Sequence, residues 1–359
     1  MKIKLQQVVT WLTTEIKPAA NEIDRSPQAL KTALQGMKDR SLLALKVPQQ
    51  LGGSGMSELE YRRLQVTLAR ASGALTFLQT QHQSAVSMLA KSSNTFLQQK
   101  LLPHSAKGDI SIGVGFSHLR RKGIPMVSAT EISTGYEITG EVPWITGYNF
   151  FDRFILGATL DDGRELYGLL PFQNLDRHSK GSIAISLPMN LMAIASTNTV
   201  SAKIDKWYLD KSQIVAIKPP GSIHHSSRHN ILNHGWYALG CAYAGLDILL
   251  SLAEKKQLNF LQKSWQTLHF QAQQYEDKAL DLASKNESTY EQKLQLRGEL
   301  INLAQRCSQG AIIAASGAAN YFDSNAARIY REALLFSVSG QTTDVMETSI
   351  KKLLVDCNW

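Results

Sequence analysis

Residues 135–146 read GYEITGEVPWIT, and their alternation of apolar and polar side chains is typical of a β-strand. Similar short runs recur from about Gly108 to Pro220, for example RFILGATL at 153–160. Turn signals such as STG, DDG and PPG separate them. Short alternating runs between turns predict an antiparallel β-barrel or sandwich, which we assign to residues 106–222.

The segments on both sides of this β region have helical periodicity. At the N-terminus, MKIKLQQVVTWLTTEIK repeats apolar residues at helical spacing until Pro18 ends the pattern. Beyond His225 the helical pattern returns, and the last helical stretch is interrupted near Gly340. We therefore expect an α+β fold with a helical N-terminal domain at 1–105 and a helical bundle at 223–359. The first predicted helix of the bundle is ILNHGWYALGCAYAGLDILLSLAEKK, and the next ones run over roughly 261–285, 290–319 and 324–354.

Length and composition are those of an ordinary globular chain. The 359 residues are 43% hydrophobic and 19% charged, enough for a substantial core. We find no apolar run near the roughly 18 residues that a spanning helix needs, and the N-terminal apolar stretch is too short for a signal peptide. Cys241, Cys307 and Cys357 are far apart and odd in number, which argues against a disulfide framework. We therefore expect a cytoplasmic protein that does not enter a membrane.

The net charge of +8 raises the question of nucleic-acid binding. The basic residues are scattered, however, and the densest cluster is the short HLRRKG at 118–123. This cluster is either a solvated loop or an anchor for a phosphorylated small molecule. A small-molecule partner is therefore expected rather than nucleic acid.

Gly52, Gly53 and Gly55 in VPQQLGGSGMS form a glycine-rich break before a helix that should start near Ser57. Such a loop can hold phosphate when a strand precedes it in a βαβ unit. No such unit is visible here, so we interpret the break as a tight loop.

Five segments in order resemble those of the acyl-CoA dehydrogenase family over essentially the whole chain. The resemblance implies a helical N-terminal domain, a middle β-barrel and a C-terminal four-helix bundle. It also implies a flavin between the β domain and the bundle, acyl-CoA beside it, and dimers or tetramers formed through the bundle. The segments are EIKPAANEIDRS, VPQQLGGSGMSELEYRRLQVTLARASGAL, LLPHSAKGD, GYEITGEVPWITGYNFFDRFIL and AIIAASGAANYFDSNAARIYREALLFSVSGQTTDV.

The resemblance assigns flavin contacts to Trp144, Ile145 and Thr146. It implies that Trp144 packs against the isoalloxazine and that Thr146 hydrogen-bonds near N5, whereas the alternative is an ordinary core tryptophan on a strand. In VGFSHLRRKG, where the family has a phosphate-binding loop, Ser117 is the remaining side-chain donor.

Contacts to the nucleotide end of the cofactor are missing by the same comparison. No arginine stands in KKQLNFLQKSWQ, where the family's pyrophosphate arginine should fall, and a lysine there cannot offer the same bidentate fork. The family's Gly-Gly in the bundle is replaced by Ser316-Gly317. The resemblance implies FAD, and these missing contacts make FMN, or weaker FAD binding, the alternative.

The family's catalytic glutamate has no counterpart. The register that the resemblance implies places Gly340, or Ser339 after a shift of one residue, at that position. Some family members carry their base earlier, at a position matched here by Asn230. None of these three is an acid, and Asp344 lies further along the chain, so the catalytic residue is left unassigned.

Four histidines in HHSSRHNILNH, at 224, 225, 229 and 234, are further candidates for chemistry. They could bind metal or donate protons. The competing interpretation is a polar loop at a helix start, with His229 or Asn230 lining the substrate pocket together with Ser339 and Gly340. We assign no metal site.

The sequence thus favours a flavin-dependent oxidoreductase that oxidises a CH–CH group of an acyl thioester or a related small molecule. Two alternatives stay open. One is a flavin monooxygenase of the same fold, which needs no glutamate. The other is a family member without catalytic activity that works as a binding or scaffold protein.

Overall fold

A computed structural model describes residues 5–284 and 288–354. Its N-terminal part is helical, as predicted, and Ser26 caps a helix whose first residue is Pro27 by accepting a hydrogen bond from the Ala29 amide. The helices are α1 (Leu5–Trp11), continued by a π-helical turn (Leu12–Ile16), α2 (Ala20–Arg25), α3 (Pro27–Asp39), α4 (Glu58–Ala71), α5 (Gly73–Leu89) and α6 (Thr95–Lys107).

The glycine-rich segment before α4 is a tight loop. Ser54 and Gly55 donate their backbone amides to the carbonyl oxygens of Ala44 and Val47. A Cβ on Gly53 would lie 2.1 Å from the Val47 carbonyl oxygen, so the chain folds closely back on itself. These amides are therefore engaged within the loop rather than available to a phosphate.

Nine strands form one sheet in the middle of the chain. Its order is β6-β7-β8-β3-β2-β4-β5-β9, and β1 pairs with β4. The strands are β1 (Ile112–Gly115), β2 (Val127–Ile132), β3 (Gly135–Ile145), β4 (Arg153–Leu160), β5 (Glu165–Pro171), β6 (Leu175–Asp176), β7 (Ser182–Ile185), β8 (Val200–Asp210) and β9 (Ile214–Lys218).

The sheet is mixed, so the prediction of a purely antiparallel domain is wrong in one respect. Strand β4 pairs in parallel with both β1 and β2, while the other six pairings are antiparallel. The reason is topological: β2 and β3 form a hairpin, and the chain then crosses to the other side of β2 before β4 begins. Alternation along a strand reports which face is buried and does not report the direction of its neighbour.

The C-terminal part confirms the predicted four-helix bundle, with one short helix before it and one after it. Helix α8 crosses the core and contacts α4, α9, α10 and α11. Gly240 and Gly245 allow close approach, since a Cβ on them would lie 2.4 Å from the Val66 carbonyl oxygen and 2.8 Å from the Cys307 carbonyl carbon. The helices are α7 (Ser222–His229), α8 (Asn233–Lys256), α9 (Asn259–Ser284), α10 (Tyr290–Ala315), α11 (Asn325–Val338) and α12 (Thr343–Leu353).

Helix α8 is an exception to the expectation that no segment has the length and apolar character of a membrane span. It is long and apolar enough to span a membrane, but 72% of its most apolar 18-residue stretch is buried within the protein. This burial accounts for its composition. Cys241 and Cys307 are free thiols buried in the same core. Cys357 lies outside the described residues.

Candidate functional site

The end of β3 presents one aromatic face to solvent. Trp144 is 47% exposed and the next residue, Ile145, is buried, as the alternation of side chains along a strand requires. Thr146, just past the end of β3, is also buried. The hydroxyls of Thr146 and Thr199 share a hydrogen bond of 2.9 Å. This strand end thus combines an exposed indole with a fixed hydroxyl pair.

A short 3-10 turn, Ser117–Arg120, follows β1 and lies beside this strand end. A Cβ on Gly115 would lie 3.2 Å from Ile145 Cγ1, so β1 brings the turn close to β3. Ser117 is exposed at the start of the turn. The turn is anchored by His118, whose Nε2 lies 2.9 Å from the Gly157 carbonyl oxygen.

Arg120 connects this turn to the helical bundle. Its Nε donates to Ser227 Oγ on α7 at 2.9 Å. Within the described ranges the guanidinium has no carboxylate partner. A half-buried positive charge is therefore held at the boundary between sheet and bundle.

Ser339 and Gly340 form the joint between α11 and α12, and His234 of α8 packs directly against it. His234 Nδ1 lies 3.1 Å from Ser339 Oγ. Gly340 has a φ of +61°, and a Cβ built on it would lie 2.6 Å from both Cδ2 and Nε2 of His234. The imidazole therefore occupies the space where a side chain at position 340 would begin.

Arg297 of α10 holds the joint and the start of α8 together. Its Nη1 donates to the Ile231 carbonyl oxygen at 2.9 Å, and its Nη2 donates to those of Ser339 and Gly340 at 2.8 and 3.1 Å. The side chain is 1% exposed, and burial lowers the pKa of Arg297 to about 10, with a further contribution from the charge of Arg120.

The surroundings of His234 are positively charged. Burial lowers the pKa of His234 well below its ordinary range, and the charges of Arg297, Arg120 and Arg62 lower it further. Of these arginines, Arg62 forms an ion pair with Glu58. His234 is therefore neutral near pH 7, with one ring nitrogen held by Ser339 and the other beside Gly340.

Asn230 and the remaining histidines of the sequence motif lie on or next to α7. Asn230 is exposed and accepts a hydrogen bond from Asn233, whose side chain accepts one from Arg62. His224, His225 and His229 are exposed and are not gathered around His234. Among residues 5–284 and 288–354, no group of three or more His, Cys, Asp or Glu side chains is arranged to hold a metal ion.

The carboxylates nearest in sequence to the joint are engaged elsewhere. Asp344 accepts a hydrogen bond of 2.5 Å from the Tyr290 hydroxyl and lies 3.6 Å from Arg228. Glu347 pairs with Lys351 along the exposed face of α12. The joint therefore has His234, and no carboxylate from α12, as its ionisable neighbour.

The residues at the strand end and the joint fit the ring of a flavin. Trp144 offers a flat exposed face and Ser117 an exposed hydroxyl. Beside the joint, Gln341 Oε1 is buried without a hydrogen-bond partner among the described residues, which leaves an acceptor for a ligand N–H. At the expected nucleotide end, Lys256 is already used, since its Nζ donates to the Ala314 carbonyl oxygen and to Ser316 Oγ.

Sequence reasoning thus located the joint at Ser339 and Gly340 but did not single out its partner. His234 was one of four histidines in a polar motif, and no local pattern distinguished it. Arg297 was not selected, and Arg120 was noted only as part of the basic cluster at 118–123. Their roles depend on contacts between elements distant in sequence, such as the 105 residues that separate His234 from Ser339.

Comparison with known proteins finds a family match in the N-terminal part and distant relatives over more of the chain. Residues 3–109 match the family described as acyl-CoA dehydrogenase, N-terminal domain. A 3-(aryl)acrylate reductase of Clostridium sporogenes is 23% identical over 271 residues, which cover 74% of this chain and 71% of the reductase. The isovaleryl-CoA dehydrogenase of Pongo abelii is 28% identical over 163 residues, which cover 44% of this chain and 38% of that protein.

Solved structures share the fold over nearly the full length. Butyryl-CoA dehydrogenase from Megasphaera elsdenii superposes with a TM-score of 0.80 at 14% identity and covers 98% of both chains. KijD3, solved in complex with FMN, gives a TM-score of 0.75 at 15% identity and covers 99% of this chain and 93% of its own. The N-terminal part of this chain thus matches the acyl-CoA dehydrogenase N-terminal domain, and the chain as a whole has the acyl-CoA dehydrogenase fold.

Proposed function

We propose that this protein is a flavin-dependent oxidoreductase that adds or removes hydrogen across a carbon–carbon bond of a small acyl substrate, with His234 transferring the proton. The observation that carries the proposal is the position of the His234 imidazole, which fills the space of a side chain at Gly340. The match to the acyl-CoA dehydrogenase N-terminal domain and the distant relatives support the flavin and the acyl substrate.

Flavin, when bound, accepts or supplies the hydride. The chain would hold it with Trp144 against the ring and with Thr146 and Ser117 at its polar edge. FAD is the first candidate because several relatives are acyl-CoA dehydrogenases. FMN is the second, because Lys256 is engaged within the bundle and the segment KKQLNFLQKSWQ contains no arginine for a pyrophosphate.

His234 has the geometry of a proton-transfer group. In the tautomer with the proton on Nδ1, Ser339 Oγ accepts from Nδ1 and leaves the lone pair of Nε2 available. Nε2 then takes a proton from the carbon next to the acyl carbonyl as the C–H electrons form the double bond. In the reverse direction, the protonated imidazole returns that proton.

The proposed site can serve either direction of the reaction, oxidation of the saturated acyl compound or reduction of the unsaturated one. The name of the Clostridium sporogenes relative denotes a reductase that acts on an acrylate, whereas the names of other relatives denote dehydrogenases of acyl-CoA compounds. Because one proton-transfer group serves both directions, His234 is compatible with each.

A reconstitution experiment tests the proposal. Purified protein is incubated with FAD and with FMN, desalted, and titrated anaerobically with acyl-CoAs and with 2-enoic acids while the flavin absorbance is followed. We expect one flavin to remain bound and its absorbance to change with a member of one panel. A protein that stays colourless with both flavins contradicts the proposal and supports a non-catalytic scaffold.

A second candidate function is favoured by one observation. The joint carries no carboxylate, and the fold neighbour KijD3 was solved with FMN. A monooxygenase of this fold would consume oxygen when its flavin is reduced chemically and substrate is added. Substrate-dependent oxygen consumption with no exchange of the substrate α-proton would favour this candidate over the first.

We also propose self-association through the bundle. A groove of about 1040 Å³ runs along α8, α9, α10 and α11, lined mainly by apolar side chains. An exposed apolar surface as extensive as this groove normally marks an interface. The apolar residues that line the groove with more than 40% exposure are Phe260, Ile313, Tyr330, Leu334 and Leu353.

A further inference from the structure

We infer that the substrate carries a free carboxylate, that the guanidinium of Arg120 binds this carboxylate, and that its α-carbon then lies beside His234. This inference rests on the proposed function and specifies its substrate class.

Arg120 is held in place for such a role. Its Nε is fixed by Ser227 Oγ at 2.9 Å, and Ser227 is itself tied to α7 because its hydroxyl donates to the Ile223 carbonyl oxygen at 2.8 Å. The two terminal nitrogens have no hydrogen-bond partner within the described part of the chain. Neither is among the fully buried polar atoms that lack a partner. They therefore face open space with four N–H donors unused.

The charges around Arg120 are not balanced by the protein. Arg297 binds three carbonyl oxygens, and neither it nor Arg120 has a carboxylate partner among residues 5–284 and 288–354. The boundary between sheet and bundle therefore holds two guanidiniums without a counter-charge from the described residues. Removing a charge from water without a partner is costly, which makes an anionic ligand the natural partner. A carboxylate matches the planar fork of a guanidinium in geometry as well as in charge.

The position of the reacting carbon–carbon bond indicates that the anion bound by Arg120 is a carboxylate next to that bond rather than a phosphate far from it. In a 2-enoic acid or its saturated product, the α-carbon is bonded directly to the carboxylate carbon. The group that binds the carboxylate and the group that moves the α-proton must therefore be neighbours. Arg120 and His234 lie on the same side of the bundle, because Arg120 contacts Ser227 of α7 and His234 lies in the first turn of α8, which follows α7 after three residues. A phosphate of a long thioester tail would lie many bonds from the α-carbon.

The test compares three ligands of the flavin-loaded protein: 3-phenylacrylate, its uncharged amide, and its CoA thioester. Dissociation constants are measured by calorimetry for the wild type and for Arg120→Gln, Arg120→Lys and Arg121→Gln. Arg121 is the matched control, since it is adjacent and exposed. Ser227→Ala removes the bond to Arg120 while keeping its charge, and thermal unfolding verifies that every variant is folded.

We expect the wild type to bind the acid about 10- to 100-fold more tightly than the amide. Arg120→Gln should abolish this preference and Arg120→Lys should restore part of it. Arg121→Gln should keep it, and Ser227→Ala, which releases the guanidinium but keeps its charge, should weaken it. Equal binding of acid and amide by the wild type, or an unchanged preference in Arg120→Gln, overturns the inference. So does tight binding of the thioester with no binding of the acid. In that last case flavin reduction by the thioester would leave the proposed function intact.

Discussion

The imidazole of His234 lies where a side chain on Gly340 would begin, with 2.6 Å between the position of a Cβ and both Cδ2 and Nε2 of the ring. Helix α8 supplies the histidine and the joint between α11 and α12 supplies the space. The two features depend on each other, because a larger residue at 340 does not fit beside the imidazole in the present packing.

Substituting Gly340 by alanine should destabilise the protein by about 2 to 4 kcal/mol, because it combines a close contact with backbone strain at φ +61°. Two controls separate these causes. Gly123→Ala adds strain alone, at φ +98° with nothing within 4 Å, and Gly317→Ala adds neither. Chemical denaturation should rank the losses in the order 340, 123, 317. Equal losses at 340 and 123 would show that His234 does not fill the space.

Replacing Arg297 by methionine should cost about 3 kcal/mol or more, since three buried carbonyl oxygens lose a charged donor. Arg228→Gln is the matched control, because its side chain is 59% exposed and its contact with Asp344 is 3.6 Å, so we expect a change near about 0.5 kcal/mol. Urea unfolding of both variants measures the difference. Similar small losses would mean that Arg297 does not hold the joint.

Acid should destabilise the wild type more than His234→Gln. The unfolded chain binds a proton on His234 at its ordinary pKa of about 6.5, whereas the folded chain, with Arg297, Arg120 and Arg62 facing the ring, does not. The stability is therefore complete above about pH 6.5 and is lost as the pH falls below it. The slope is at most about 1.4 kcal/mol per pH unit, reduced by solvent screening. Parallel pH dependences of the free energy of unfolding in the two proteins would contradict this.

His82 and His118 do not disturb that comparison. Burial lowers the pKa of each to about 4, so both destabilise the protein in acid, but they do so equally in the wild type and in His234→Gln. The difference between the two curves isolates His234.

Trp144→Ala should weaken flavin binding by about 10-fold through loss of an aromatic contact, and Trp144→Phe should weaken it less. Trp265 on α9, which stacks on His269 in the bundle, provides the control substitution. Quenching of flavin fluorescence on titration gives the dissociation constants. An unchanged flavin affinity in Trp144→Ala would contradict the placement of the flavin at the end of β3.

A charge placed in the bundle groove should dissociate the oligomer. Leu334 lines the groove and is 44% exposed, so Leu334→Asp should lower the mass measured by light scattering, while Leu187→Asp, at an 88% exposed position in the β domain, should leave it unchanged. A wild type that is monomeric at high concentration contradicts this proposal.

The sequence predicted the order of helices and strands because those features are local. The helix start at Ser57, the strand pattern of 135–146 and the break at Gly340 each depend on a few adjacent residues, and each is present. The parallel pairing of β4 was not predictable, because strand direction depends on the path of the chain between strands.

The site was predictable on one side only. Family resemblance located Ser339 and Gly340, but the residue that fills the empty position comes from α8, 105 residues away from Ser339. In the same way, Arg120 is 107 residues from its partner Ser227. Contacts at such separations leave no trace in local periodicity, and a single histidine among four gives no signal of its own.

Exchange of the substrate α-proton tests the central claim most directly. Flavin-loaded protein is incubated in D₂O with a saturated ligand identified by the reconstitution titration, and deuterium at the α-carbon is followed by NMR. We predict exchange with the wild type and a loss of about 100-fold or more with His234→Gln, while flavin content is unchanged. Exchange at the wild-type rate in His234→Gln would contradict the assignment of His234 as the proton-transfer residue.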